Sequence, residues 1–173
     1  MAHSIRTVRP EELDQVWALV QAAIARMNAG GSFQWGEDYP AREDFAAPLS
    51  AGELYAACDE EGGLLGVVVL NTREEPEYGA LEGWRVPGPA LVVHKMAVDP
   101  AAQGKGVARA LFSFAVGLAR QRGLRSLRGD TYAENKTMQH LFEQFGFRRV
   151  GHVHFPGRPL PFPVYERVLE GGG

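Results

Sequence analysis

Gly104, Lys105 and Gly106 stand directly before Val107, Leu111, Phe114 and Leu118, apolar residues that recur at helical spacing. A helix N-terminus presents unpaired backbone N–H groups and a partial positive charge, and glycines let an anion approach them closely. With Lys105 beside it, such a loop suits a phosphate or a pyrophosphate; the same letters also suit a plain turn into a helix. The nucleotide-hydrolase loop needs Gly-Lys followed by Ser or Thr, and here Lys105 is followed by Gly106. A dinucleotide-binding fingerprint has a third glycine where this chain has Arg109, although Asp130 roughly meets its demand for a downstream acid. Nucleotide hydrolysis and dinucleotide binding are therefore disfavoured.

Other residues of chemical type are fewer. His94 lies in the apolar run "VVHKMAV" just before the glycine loop. Histidine titrates near neutrality and can serve as a general base there, or it can be an ordinary hydrogen-bonded strand residue. The one cysteine, Cys58 in "ELYAAC", has no basic or His partner nearby and reads as a small buried hydrophobe. His152 and His154 alternate on one strand face without a third ligand in view, so no metal is expected. Arg120, Arg122 and Arg125 read as a solvated helix end.

The elements that must position these residues follow from periodicity and punctuation. "SIRTVR" alternates as a strand, and Pro10-Glu11-Glu12 opens a helix whose apolar face is Leu13, Val16, Trp17, Val20 and Ile24, ending near "NAGG". The run "SFQWGEDYPAREDFAAPLS" is expected to hold a short helix after Pro40 and otherwise to form a lid or pocket wall. "ELYAAC" and "LLGVVVL" read as an antiparallel hairpin turning at 59–63, and a Pro- and Gly-rich excursion then leads to the strand "ALVVHKMAV". After the glycine loop come the amphipathic helix, the strand "RSLRGDTY", and the helix "NKTMQHLFEQF" with Gly146 as its stop; "FRRVGHVHF" and "PFPVYERVL" are two closing strands. The two strands flanking the amphipathic helix must be parallel, because the crossover between them is right-handed. A frayed tail is expected at 171–173.

The chain has 173 residues, 45% of them hydrophobic and 10% aromatic, enough for one sizeable core, and a single domain over 1–170 is expected. Its net charge of -3 gives no basic excess for a nucleic-acid backbone or an anionic membrane. No apolar stretch approaches the ~20 residues of a membrane-spanning helix. The N-terminal residues lack the apolar segment of a secretory signal, so a soluble cytoplasmic protein is expected, with no nucleic acid and no membrane as partners.

The run Gln103-Gly104-Lys105-Gly106-Val107-Ala108, preceded by "MAVDP", resembles the signature of the GCN5-related N-acetyltransferase family, Gln/Arg-x-x-Gly-x-Gly/Ala after a central strand. The resemblance continues through "DTYAENKTMQHLFEQFGFRRVG", which is similar to the family's strand, Asn-capped helix and closing "GF" turn. It implies a mixed α/β fold: a central, mostly antiparallel sheet of about seven strands with a splayed parallel pair, flanked by about four helices. It further implies acetyl-CoA as acyl donor. Backbone groups of Met96, Ala97 and Val98 would pair with pantetheine, the N–H groups of Gly104, Lys105, Gly106, Val107 and Ala108 would hold the pyrophosphate, and Gln103 and Asn135 would lie at the turn and near the pantetheine arm.

The implied activity is N-acetylation of a primary amine of a small molecule by direct attack in a ternary complex. His94 would drain the proton of the amine, and an N–H of the central strand would polarise the thioester carbonyl. Many family members carry a tyrosine in the last helix that protonates the leaving thiolate; here that position is Phe142, so Tyr132, water or substrate must stand in. Gln34, Trp35, Trp84 and His94 are the expected acceptor residues, with Phe33 and Tyr39 as further aromatic wall and Glu77 and Glu82 suiting a cationic amine. A non-catalytic acyl-CoA sensor and an acetyltransferase of protein N-termini or lysines are the alternatives. A homodimer is possible by resemblance alone.

Overall fold

The computed structural model describes residues 3–169; the tail expected at 171–173 lies outside them. The elements in chain order are β1 (Ser4–Thr7), α1 (Leu13–Ala29), α2 (Glu43–Ser50), β2 (Leu54–Cys58), β3 (Leu64–Asn71), β4 (Leu91–Val98), α3 (Val107–Gln121), β5 (Ser126–Asp130), α4 (Lys136–Gln144), β6 (Arg148–Val153) and β7 (Phe162–Val168). One seven-stranded sheet runs β1-β2-β3-β4-β5-β7-β6. β4 and β5 are parallel, whereas β1–β2, β2–β3, β5–β7 and β6–β7 are antiparallel. This is the mixed architecture that the pattern of apolar runs implies. The last two strands do pair with each other, but β7 takes the place beside β5 and leaves β6 at the edge. Burial explains the order: Phe162 to Glu166 are buried without a break, while β6 is exposed over much of its length.

By its internal contacts the chain divides into two compact units. The first comprises Met1–Leu70 and Lys95–Phe114. Val16, Leu19 and Val20 of α1 and Phe45 of α2 are buried with Leu54, Ala56, Val67, Val69 and Ala97 of the strands. Gly66 matters to this packing, because a Cβ there would stand 2.6 Å from Val107 Cγ1 and 3.1 Å from the Ala97 carbonyl oxygen. A strand residue without a side chain thus lets the start of α3 lie close to the sheet, and the start of α3 is where the glycine loop ends.

The entry to α1 is fixed electrostatically. Glu12 accepts hydrogen bonds from both terminal nitrogens of Arg6 and from the Arg9 N–H, each at 2.8 Å. The Arg6 bond, partly opposed by desolvation and helped by the Arg9 amide, holds the Glu12 carboxyl at about 2. A carboxylate whose folded pKa is depressed contributes stability in full above its ordinary pKa and loses it as the pH falls through the folded value. The shift corresponds to about 3 kcal/mol at most, reduced to about 2 kcal/mol because Arg6 is partly exposed to solvent. Urea unfolding of wild type and Glu12→Gln should therefore differ by this amount at pH 6, the difference shrinking as the pH falls toward the folded pKa of about 2. A constant difference across that range would remove the charge pair as its cause.

The second unit comprises Asn71–His94 and Ala115–Gly173. Tyr78, Val92, Tyr132, Val153, Phe162 and Val164 form one buried cluster. Phe142 of α4 stacks on Tyr165 with ring centroids 4.8 Å apart. Gly129 of β5 makes room for that ring, since a Cβ there would meet Phe142 Cζ at 3.0 Å. The Pro- and Gly-rich excursion is not loose. Arg128 of β5 pairs with Glu74 at 2.5 Å and donates to the Val86 carbonyl at 2.8 Å, and the opposing Glu166 accepts the Arg85 N–H at 2.9 Å. The Arg128 guanidinium also lies 3.9 Å over the Trp84 ring. A 3-10 turn, Pro76–Ala80, is held inside this segment and buries Tyr78.

Candidate active site

Gly104 and Gly106 take φ of +80° and +77°, values that favour glycine, and a Cβ at either would meet nothing within 4 Å. The glycines are needed for backbone direction, and the space in front of them is open. Lys105 N donates to the Ala102 carbonyl at 3.3 Å, and Ala110 N closes the first helical bond onto the Gly106 carbonyl at 3.0 Å. The amides at the start of α3 therefore have no acceptor within the helix by construction. Gln103, Gly104, Lys105 and Gly106 are exposed, while Val107 is buried and anchors the turn. This is a backbone cradle that fits a phosphate-bearing group.

In β4, Lys95 has φ of +48°, a left-handed conformation in mid-strand that a side chain rarely adopts. The kink falls between His94 and Met96. The parallel register runs from Leu91↔Leu127 to Val93↔Gly129 and ends there, one residue before His94. Of the expected pantetheine partners, Ala97 is buried and Met96 and Val98 are half-buried.

His94 is tied down on one side. Its Nε2 lies 2.9 Å from Asn71 Oδ1 and 3.0 Å from the Arg73 carbonyl oxygen. Asn71 Oδ1 also accepts the Arg73 N–H at 2.9 Å, which sets the orientation of that amide. Both partners of Nε2 are acceptors, so Nε2 carries the proton and Nδ1 is the basic atom. Nδ1 faces Glu75 at 3.6 Å.

Asp130, at the end of β5, accepts a 2.5 Å hydrogen bond from the Tyr78 hydroxyl. Burial raises its pKa, the Tyr78 bond opposes that, Glu75 and Glu77 raise it further and His94 lowers it, leaving the carboxyl at about 6. The Tyr78 phenol is pushed well above its ordinary value, first by burial and then by the charge of Asp130. Neither Tyr78 nor Asp130 is among the site residues expected from the sequence. Tyr78 sits in a stretch with no periodicity, and the contact spans 52 positions.

The remaining expected residues are placed as follows. Tyr132 is 1% exposed, stacks on Phe162 at 4.8 Å, and its hydroxyl oxygen accepts the Leu160 N–H at 3.1 Å. Asn135 caps α4 by accepting the Met138 N–H at 3.0 Å. Trp35 is 6% exposed and belongs to the core of the first unit, with Gln34 half-buried beside it in sequence. Trp84 is half-buried between Arg128 and Tyr78, and its indole N–H donates to the Tyr78 carbonyl at 3.1 Å. Phe142 is buried among aromatic rings and offers no proton. Among the described residues no group of three or more His, Cys, Asp or Glu is set to hold a metal, and no helix is long and apolar enough to cross a membrane.

Comparison with known proteins identifies a family and several relatives. The family model for the acetyltransferase (GNAT) family matches residues 18–147. A mycothiol acetyltransferase of Cellulomonas flavigena is 32% identical over 168 residues, covering 96% of this chain and 47% of that protein. The chain thus spans about half the length of that relative. A Bacillus subtilis protein named provisionally as a phosphinothricin acetyltransferase is 26% identical over 155 residues, 89% of this chain and 88% of that one. The crystal structure of a GNAT-family acetyltransferase from Streptococcus agalactiae has a TM-score of 0.83 at 30% identity and covers 96% of this chain and 95% of that one.

Proposed function

The chain belongs to the acetyltransferase (GNAT) family, and from that premise we propose that it transfers the acetyl group of acetyl-CoA to a primary amine of a small molecule, both substrates being bound together. The observation that carries this reading is the open glycine cradle at the start of α3, with left-handed Gly104 and Gly106 and free space before them. The amides of Gly104, Gly106, Val107 and Ala108 are suited to hold the pyrophosphate, with Lys105 adding charge and Gln103 the turn. Met96, Ala97 and Val98 offer strand backbone to the pantetheine arm. A small-molecule acceptor is supported by the names of the two curated relatives.

An alkyl ammonium with a pKa of about 10.4 must lose a proton before it can attack. His94 and Asp130 are the residues that can receive it, His94 only through Nδ1. Proton return to the departing thiolate is the weaker demand, because a thiol pKa of about 8.5 makes a tolerable leaving group. Tyr132, whose hydroxyl oxygen accepts the Leu160 N–H, remains the proposed donor.

Release of free thiol, followed with a chromogenic disulfide while acetyl-CoA and a panel of amines, amino acids and amino sugars are both varied, tests the proposal. Intersecting reciprocal plots are expected for attack in a ternary complex. Parallel plots would replace direct attack by a covalent intermediate. Tight acetyl-CoA binding with no turnover on any amine would favour the sensor reading, which the aromatic Phe142 leaves open.

A further inference from the structure

We propose that Asp130 is the group that takes the proton of the acceptor amine, and that Tyr78 is the residue that positions it. This rests on the acetyltransferase reading above and assigns its base.

Topology puts Asp130 in the right kind of place. β4 and β5 are parallel, their register ends at Val93↔Gly129, and His94 and Asp130 are the next residues on the two strands. Ligands of parallel strands bind beyond the carboxyl ends, and Asp130 is the last residue of β5.

Hydrogen bonding then separates the candidates. His94 spends Nε2 on Asn71 and Arg73, and its one basic atom is turned to Glu75. Asp130 spends only Oδ2, on Tyr78, and Oδ1 has no hydrogen-bond partner among the described residues. The groups that act electrostatically on Asp130 are Tyr78 and Glu77 of the 3-10 segment, Glu75 just before it and His94 of β4, and Tyr78 touches it directly. Two carboxylates and burial make the carboxylate more basic than an exposed aspartate, while the hydrogen bond from the Tyr78 phenol favours its ionised form. Tyr78 cannot itself be the base, because its phenol stays protonated. It is held by ring packing on Trp84 at 5.6 Å and by the indole bond to its carbonyl, so the hydroxyl fixes which carboxylate oxygen remains open.

The step balances as follows. One N–H bond of the ammonium breaks and its proton goes to Oδ1 of Asp130. The freed lone pair forms the C–N bond as the C–S bond breaks, and the electron pair leaves on sulfur. A second proton shed by nitrogen ends on the thiolate, and Asp130 returns its own to solvent, one per turnover.

The test is the pH dependence of kcat/KM for one amine in wild type, Asp130→Asn, Tyr78→Phe and His94→Gln, together with carbon-detected NMR titration of the Asp130 carboxyl in the ligand-free protein. Wild type should show an acid limb at the Asp130 midpoint seen by NMR. Asp130→Asn should lose that limb and about 100-fold or more in kcat/KM, with the KM for acetyl-CoA nearly unchanged. Tyr78→Phe removes a bond that favours the carboxylate, so both the limb and the NMR midpoint should move to higher pH. His94→Gln should keep the limb. If Asp130→Asn keeps the limb and most of its activity, or if the limb disappears in His94→Gln instead, the proposal fails and the acetyltransferase reading stands. An NMR midpoint in the ordinary aspartate range, unmoved in Tyr78→Phe, also overturns it. Wild type that acetylates no amine at any pH overturns the function and the proposal together.

Discussion

Arg128→Met is expected to destabilise the fold by about 3–5 kcal/mol, the cost of removing one member of a buried ion pair. The Arg128 side chain is 4% exposed and that of Glu166 is fully buried, and the two residues are direct cross-strand partners on β5 and β7. The arginine touches Glu74, the Val86 carbonyl and the Trp84 ring, and it stands 4.0 Å from Glu166. Methionine fills similar volume but leaves Glu166 buried with only the Arg85 and Val86 amides for its charge. Urea unfolding should show the loss, with the melting temperature falling by about 10 °C or more. Arg128→Met combined with Glu166→Gln should recover more than half of it, because the uncompensated charge is then gone. The arginine already has one unpaired nitrogen, Nε, so part of its desolvation is uncompensated in wild type. A loss under about 1 kcal/mol in the single variant would mean that the ion pair is not what holds this segment. Since the segment carries Glu75 and Tyr78, the same variant links stability to the proposed base.

This pair also shows where sequence reasoning stops. Nothing in "RSLRGD" or "PFPVYERV" marks a charged residue as buried, yet Arg128 and Glu166 face each other across adjacent strands inside the protein. Nothing in either stretch announces its partner, because the pairing depends on β7 lying beside β5. Tyr78 escaped for the same reason, as its partner lies on a distant strand. Trp35 was expected in an acceptor wall because its neighbours are turn residues. The Asn28 amide donates to the carbonyls of Ser32 and Trp35 at 2.9 Å each, which draws the chain back and seats the indole in the core.

What was legible is local. Helix ends declared themselves through Gly30, Asn135 and Gly146, and the hairpin through two apolar runs around a turn. The glycine loop was legible because positive φ at two positions before a helix leaves few other residues to choose. Local signals thus located the cradle, whereas the proton chemistry depends on contacts between residues far apart in the chain.

Gly106→Glu is expected to weaken acetyl-CoA binding about 100-fold, a loss of about 2.7 kcal/mol. Two causes contribute and can be separated. With φ of +77° any side chain at this position is strained, by about 1–2 kcal/mol. That strain lowers stability and should appear equally in Gly106→Ala. The glutamate alone then projects a carboxylate into the open space before α3, where it both fills the approach and repels an anionic guest. Calorimetric titration should accordingly show a small affinity loss for Gly106→Ala and a large one for Gly106→Glu, the latter partly relieved by added salt. Equal losses would assign the effect to backbone strain. Undiminished binding in Gly106→Glu would place the pyrophosphate elsewhere and withdraw the observation on which the proposed function stands.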